Sequence, residues 1–230
     1  MKFDPYDYIG VILPGSAVLF AGMVAEPEFR GLFGKGGIDV AGLGLFLIMS
    51  FVTGHIVQSF GNLIEYALKG LPGGNPADEL LSKAQKIIAP EQRAKLAEKL
   101  KADIGAELDG MDSASWVAIR RQMYASLPKG MARERLESFN RTYGMLRGMS
   151  AALLIIAAAI MVLRPSAWAF AAVAAACSVA MAVRMVRFSA TYMRELTVQY
   201  LLAGKAGDKP VKEKAAKPKA AVSASEQAAG

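Results

Sequence analysis

The chain has 230 residues and a mass of 24.5 kDa, with 53 % apolar residues, 20 % charged residues and a mean hydropathy of +0.29. Soluble domains of this length carry more charge, and here the apolar residues gather into long uncharged runs, so the chain reads as an all-α polytopic membrane protein. One cysteine excludes a disulfide framework within the chain, and one histidine excludes a multi-histidine metal site.

Four stretches are candidates for crossing a bilayer. Backbone groups cannot stay unpaired in hydrocarbon, so each must be helical or part of a closed barrel, and no amphipathic strand pattern suggests a barrel. Tyr8 to Ala25 carries no charge, and its flank of Asp4 and Asp7 against Lys2 makes a poor signal peptide. Leu13-Pro14-Gly15 is expected to kink or interrupt this helix. Val40 to Ile64 is the second stretch, Gly148 to Leu163 the third and Ser166 to Val183 the fourth. Arg164-Pro165 separates the last two, which predicts a tight helical hairpin with Pro in the first turn of the second arm. The third stretch is short, and Arg147 and Arg164 can snorkel at its ends.

Lys and Arg set the expected orientation. The loop from Glu26 to Asp39 holds two and the hairpin tip one, whereas Glu65 to Arg147 holds 14 and Arg184 to Gly230 holds nine. Both termini and the middle region are thus expected on the cytoplasmic side. The net charge of +7 sits on that side, beside anionic headgroups.

The organisation follows: transmembrane helices 1 and 2 over residues 1–66, a cytoplasmic helical domain over 67–145, a transmembrane hairpin with a cytoplasmic extension over 146–203, and a Lys/Ala-rich tail over 204–230 read as disordered. In the cytoplasmic domain Asn75-Pro76 predicts a capped helix over Ala77 to Ile88. Pro90 starts a second helix, with Leu96, Leu100 and Ile104 on one face. Asp112 or Ser113 caps a third, carrying Trp116, Ile119 and Met123, and Leu127-Pro128-Lys129-Gly130 ends it. A fourth begins near Met131 and continues through the third span. Leu71-Pro72-Gly73-Gly74 reads as a hinge. Tyr192 to Glu195 and Tyr200 read as a packing surface for this domain. Cys177 reads as a small buried hydrophobe.

Polar residues at helical spacing stand out on the second span. His55, Gln58, Asn62 and Glu65 are three, four and three residues apart, which gathers them on one face. Intramembrane polar groups face a bundle interior or a water-filled cavity. The stripe therefore lines or gates a pore, joins helices by hydrogen bonds, or forms a small-molecule site. A second set is Arg120, Arg121, Arg133, Arg135 and Arg141, followed by Arg147. Guanidinium forks suit phosphate, with Trp116 or Tyr124 as a stacking surface for a nucleotide or short nucleic acid. The same residues also fit the charge bias of a cytoplasmic flank. No nucleophile–base pair, phosphate-binding glycine loop or metal-ligand spacing occurs, so the chain is read as no enzyme and as holding no cofactor or metal.

The layout resembles a group of small bacterial four-span membrane proteins of mostly unknown function. The residues that carry the resemblance are Asp7-Tyr8-Ile9-Gly10 with Leu13-Pro14-Gly15, Gly54-His55 with Gln58 and Asn62-Leu63-Ile64-Glu65, Phe139-Asn140-Arg141-Thr142-Tyr143, and Arg187-Phe188 with Tyr192. Among effectors of antiphage defence, the layout is similar to that of the Hailong-type channel. That resemblance implies a homo-oligomeric pore, a cytoplasmic ligand site for a nucleic-acid oligomer and a partner signalling protein that makes it. It implies no particular ligand residue. The expected function is an inner-membrane oligomeric pore or channel-like effector gated by its cytoplasmic domain. The alternative is a non-conducting anchor or scaffold that recruits a cytoplasmic partner.

Overall fold

The computed structural model describes residues 5–33, 39–71 and 74–206. All regular structure among them is helical: α1 Pro5–Ala25, α2 Pro27–Gly31, α3 Val40–Lys69, α4 Pro76–Glu79, α5 Pro90–Ile104, α6 Ser113–Ser126, α7 Met131–Leu163 and α8 Trp168–Ala206, with a single 3₁₀ turn at Pro165–Ala167. Pro72 and Gly73 of the expected hinge lie outside the described residues, as does the tail from residue 207 onward.

Three helices are long and apolar enough to cross a membrane, by length and composition: Val40–Lys69, Met131–Leu163 and Pro165–Ala203. Gly10–Ala25 is a shorter apolar helix. The membrane character expected of the chain therefore rests on three helices. The first apolar stretch is distinguished from them by its length.

α7 and α8 form the expected hairpin, closed at Arg164 and Pro165. At 1.5 Å per residue they are about 50 and 58 Å long, well beyond the roughly 30 Å of a hydrocarbon core. Their apolar portions pack together near the tip, and their polar portions continue away from it. A pair of serines joins their apolar portions. Ser150 Oγ donates to the Ser178 carbonyl at 3.0 Å, and Ser178 Oγ donates to the Ser150 carbonyl at 2.8 Å. Each hydroxyl thus finds an acceptor on the facing helix, which removes its desolvation cost.

α1 and α3 complete the bundle against α7. Close approach is possible because small residues stand at the crossings. A Cβ on Gly15 would lie 1.9 Å from the Ser50 carbonyl oxygen, and one on Gly54 would lie 2.1 Å from the Val11 carbonyl oxygen. α1 also reaches both ends of the α7 apolar segment. Its Gly10 carbonyl meets the Gln58 side chain, which also bonds Gly144 of α7. Its Ala25 carbonyl accepts from Arg164 Nη2 at 2.6 Å. Gly10 to Ala25 rises about 22 Å, and Gly144 to Arg164 about 30 Å. Of the kink or interruption expected at Leu13-Pro14-Gly15, the interruption does not occur: α1 runs helically through Pro14.

The polar ends of α7 and α8 carry a separate helical cap built from α4, α5 and α6. Its core joins Leu80, Leu96, Leu100, Leu108, Trp116 and Met123 to Leu136 of α7 and to Met193, Leu196 and Tyr200 of α8. A unit this small has little core of its own, and the extended α8 supplies part of it. Pro90, Asp112 and Gly105 behave as local chemistry dictates. Pro90 occupies the first turn of α5, Asp112 accepts from Ser115 N at 2.5 Å, and Gly105 closes α5 in the left-handed region at φ 70°. The helix expected over Ala77 to Ile88 does not form. Only Pro76–Glu79 is helical, and Asn75 makes no side-chain cap. From Leu80 the chain turns to bury Leu80, Ile87 and Ile88. Gln85 Oε1 accepts from Ile87 N and Ile88 N, while Arg93 and Arg194 donate to the Leu81 and Ile87 carbonyls. Side chains thus satisfy a backbone that no helix does.

Candidate functional site

The four-residue stripe on α3 splits. Successive residues turn by about 100°, so Gln58 and Glu65 lie roughly 60° around the helix from His55 and Asn62. The first pair faces α1 and α7. The second faces outward.

Gln58 sits at the junction of three helices. Pro14 has no N–H, so the Gly10 carbonyl loses its normal partner four residues on. Gln58 Nε2 donates to that carbonyl at 3.0 Å and to the Gly144 carbonyl at 3.2 Å. The Gln58 oxygen accepts from Arg147 Nη2 at 3.4 Å. This explains the uninterrupted α1: a side chain of α3 supplies the bond that proline removes. Gly148 makes room, since a Cβ there would lie 2.6 Å from Gln58 Nε2 and 2.8 Å from Pro14 Cγ.

Glu65 lies two turns further along. Arg147 Nη1 donates to Glu65 Oε2 at 2.9 Å, and Lys69 Nζ stands 2.9 Å from Oε1. Arg147 therefore links Gln58 and Glu65, with its guanidinium 6.0 Å from the Tyr143 ring centre. The network ties α3 to α7 with one acidic and two basic groups. Such a pair holds geometry rather than adding much stability, because desolvation offsets its attraction.

His55 and Asn62 are exposed, as is Ser59 between them. His55 packs edge-on to Phe51, with ring centres 4.6 Å apart. Ser59 Oγ bonds the His55 carbonyl within the helix at 3.2 Å. The imidazole nitrogens and the Asn62 amide have no hydrogen-bond partner among the described residues.

The arginines do not form one cluster. Arg133 is held by Glu137 at 3.4 Å, by the Tyr124 hydroxyl at 3.1 Å and over the Tyr124 ring. Arg135 faces Glu195 at 3.6 Å and lies over Phe139. Arg141 lies with Arg147 beside Gln58 and Gly144, lining a shallow hollow. Arg120 and Arg121 stand apart from these on α6. Trp116 is no stacking surface: it is fully buried, and its Nε1 donates to the Ala77 carbonyl at 2.6 Å. The Tyr124 hydroxyl is engaged by Glu137 at 2.6 Å, and burial with that contact raises its pKa. Cys177 is exposed on α8, not buried. Ala-rich α8 is narrow there, and the thiol falls on its outer side.

Sequence reasoning missed Arg147 as the centre of the site. The sequence places it at the flank of the third span and at the end of the arginine set, without linking it to Gln58 or Glu65. The available signal was its depth: it precedes the third apolar run as Glu65 follows the second, so antiparallel packing of these two spans sets the two side by side. Among the described residues, no group of His, Cys, Asp and Glu is arranged to hold a metal ion.

Comparison with protein-family models, curated proteins and solved structures finds no match to this chain.

Proposed function

We propose that the chain is an inner-membrane protein with four crossings that assembles with copies of itself into a pore, lined or gated along the outward face of α3 and controlled by the helical cap. The observation that carries this reading is the exposed His55, Ser59 and Asn62 face on a helix apolar enough to span. Polar side chains at bilayer depth face protein or water rather than lipid. In one copy this face meets no other described part of the chain, and a ring of copies gives it both protein and water.

The crossing by α1 rests on its two anchor points, Gly10 at the Gln58 level and Ala25 at Arg164. A helix of about 22 Å crosses a slightly thinned bilayer. The cap is assigned to the cytoplasmic side by the Lys and Arg distribution. The likeness in layout to Hailong-type antiphage effectors points the same way and contributes no residue.

The second reading, a non-conducting anchor for a cytoplasmic partner, is favoured by Gln58, Arg147 and Glu65 being satisfied within one chain. Conductance of the purified protein in liposomes separates the two. The pore reading expects a conductance that His55→Leu with Asn62→Leu reduces at least about tenfold, since a water path through an apolar constriction dewets. An unchanged conductance in that variant removes the face from the path. A silent wild-type protein that co-purifies with a soluble partner supports the anchor.

A further inference from the structure

Two adjoining hollows lie where the cap meets α7 and α8, and both are lined by Val117, Arg120, Asn140 and Tyr192. Their volumes are about 270 and 370 Å³. The first reaches toward the membrane helices, to Glu65, Lys69 and Tyr143. The second is bordered by Arg121 and Tyr124.

The charges around them are unequally matched. Glu65 is neutralised by Lys69 and Arg147. Glu137 is occupied by Arg133 and the Tyr124 hydroxyl. Asp78 lies in the first hollow and accepts from the Ser113 hydroxyl. Arg120 has no ion pair among the described residues. Its Nη1 touches only the Met193 sulfur at 3.9 Å, and its buried Nε has no partner. Burial disfavours its charge, Asp78 and Tyr192 partly offset this, and the neighbouring Arg121 adds a smaller penalty. Arg121 is exposed and likewise unpaired. Asn140 and the Tyr192 hydroxyl add donors that make no hydrogen bond among the described residues.

A half-buried guanidinium without a counter-ion is costly. Half-buried Arg120 and exposed Arg121 border the same hollow, together with the neutral donors Asn140 and Tyr192. We propose that this junction binds a phosphate group, with Arg120 and Arg121 as its forks and Asn140 and Tyr192 as supporting donors. Tetrahedral phosphate oxygens accept from two guanidiniums at once, which a lone carboxylate does less well. The group belongs either to a soluble phosphate compound or to an anionic lipid headgroup, because the first hollow opens toward the ends of the spanning helices. The inference holds whether or not the chain conducts.

The test uses the full-length purified protein. Inorganic pyrophosphate is titrated into the detergent-solubilised chain. In parallel, thermal unfolding is compared in nanodiscs of phosphatidylcholine with and without phosphatidylglycerol. Binding in either arm supports the site: pyrophosphate binding assigns it to soluble phosphates, and a rise in Tm confined to phosphatidylglycerol assigns it to the headgroup. Arg120→Gln and Arg121→Gln should each weaken that binding at least about tenfold, the loss of one charge-assisted contact. Arg121 is exposed, so its variant folds even if the Arg120 variant does not. Lys95→Gln, on the exposed side of α5, should bind as wild type. The proposal fails if the wild type binds neither probe, if Arg121→Gln binds as tightly as wild type, or if Lys95→Gln weakens binding equally.

Discussion

Gln58 is the residue that most changes meaning between sequence and structure. As a polar group on an apolar helix, it is compatible with a water path or with a contact between helices. Its amide instead completes the backbone of another helix, replacing the N–H that Pro14 lacks at the Gly10 carbonyl. That role makes a specific prediction. Gln58→Leu should destabilise the detergent-solubilised protein by about 1–2 kcal/mol, because the Gly10 carbonyl is left without a donor and the bond to Gly144 is lost. Pro14→Ala restores the missing N–H, so the same Gln58→Leu change made in that background should cost measurably less. Denaturant unfolding of the four proteins gives the coupling directly. Equal costs in the two backgrounds would show that Gln58 does not serve the proline. The sequence held both residues in plain view, yet nothing in it linked positions 14 and 58. The stripe's period was legible, but a spacing of three and four residues leaves an arc of about 60° unresolved. Inward Gln58 and outward His55 fall within that arc.

At the scale of elements, glycine positions decide how near α1 lies to α3. The Cβ positions at Gly15 and Gly54 would fall inside the facing backbone, while one at Gly44 would meet nothing within 4 Å. Gly54→Val should therefore push the helices apart and cost about 1–3 kcal/mol or more, as overpacking does. Gly44→Val on the same helix should be neutral, or slightly stabilising through the loss of a flexible glycine. Thermal unfolding in detergent compares them. If the two variants unfold alike, the close crossing is wrong. Element starts were the part most easily read from sequence, because they depend on local chemistry: Pro90 opens α5, Asp112 caps α6, and Gly130 precedes the long α7. The segment from Ala77 to Ile88 was misread because its helical pattern is a local feature. Its true path is set by distant groups, the buried faces of α6 and α8 and the arginines at 93 and 194. The exposed Cys177 has the same explanation, since facing inward or outward on an Ala-rich helix depends on a partner the run of residues does not name.

For the molecule as a whole, the decisive feature is the length of α7 and α8. Each is a continuous helix that begins or ends in the cap and passes through the bundle to the Arg164 turn. The cap and that turn are therefore held at opposite ends of two stiff rods. The cap's core is shared with α8 through Met193, Leu196 and Tyr200, so the two parts cannot swing freely against one another. The network of Arg147 with Gln58 and Glu65 lies where α7 passes from one part to the other. This geometry fixes a topological expectation independent of conductance. With Cys177 replaced by Ser, a single cysteine at Gly110 in the cap and one at Ser166 beside the turn should be labelled from opposite sides of the membrane in intact cells. With the cap cytoplasmic, a membrane-impermeant maleimide should reach Ser166→Cys from the periplasm and reach Gly110→Cys only after permeabilisation. Labelling of both from the periplasm would mean that the α7–α8 hairpin does not cross. Labelling with the sides exchanged would keep the crossing and invert the orientation drawn from the Lys and Arg count.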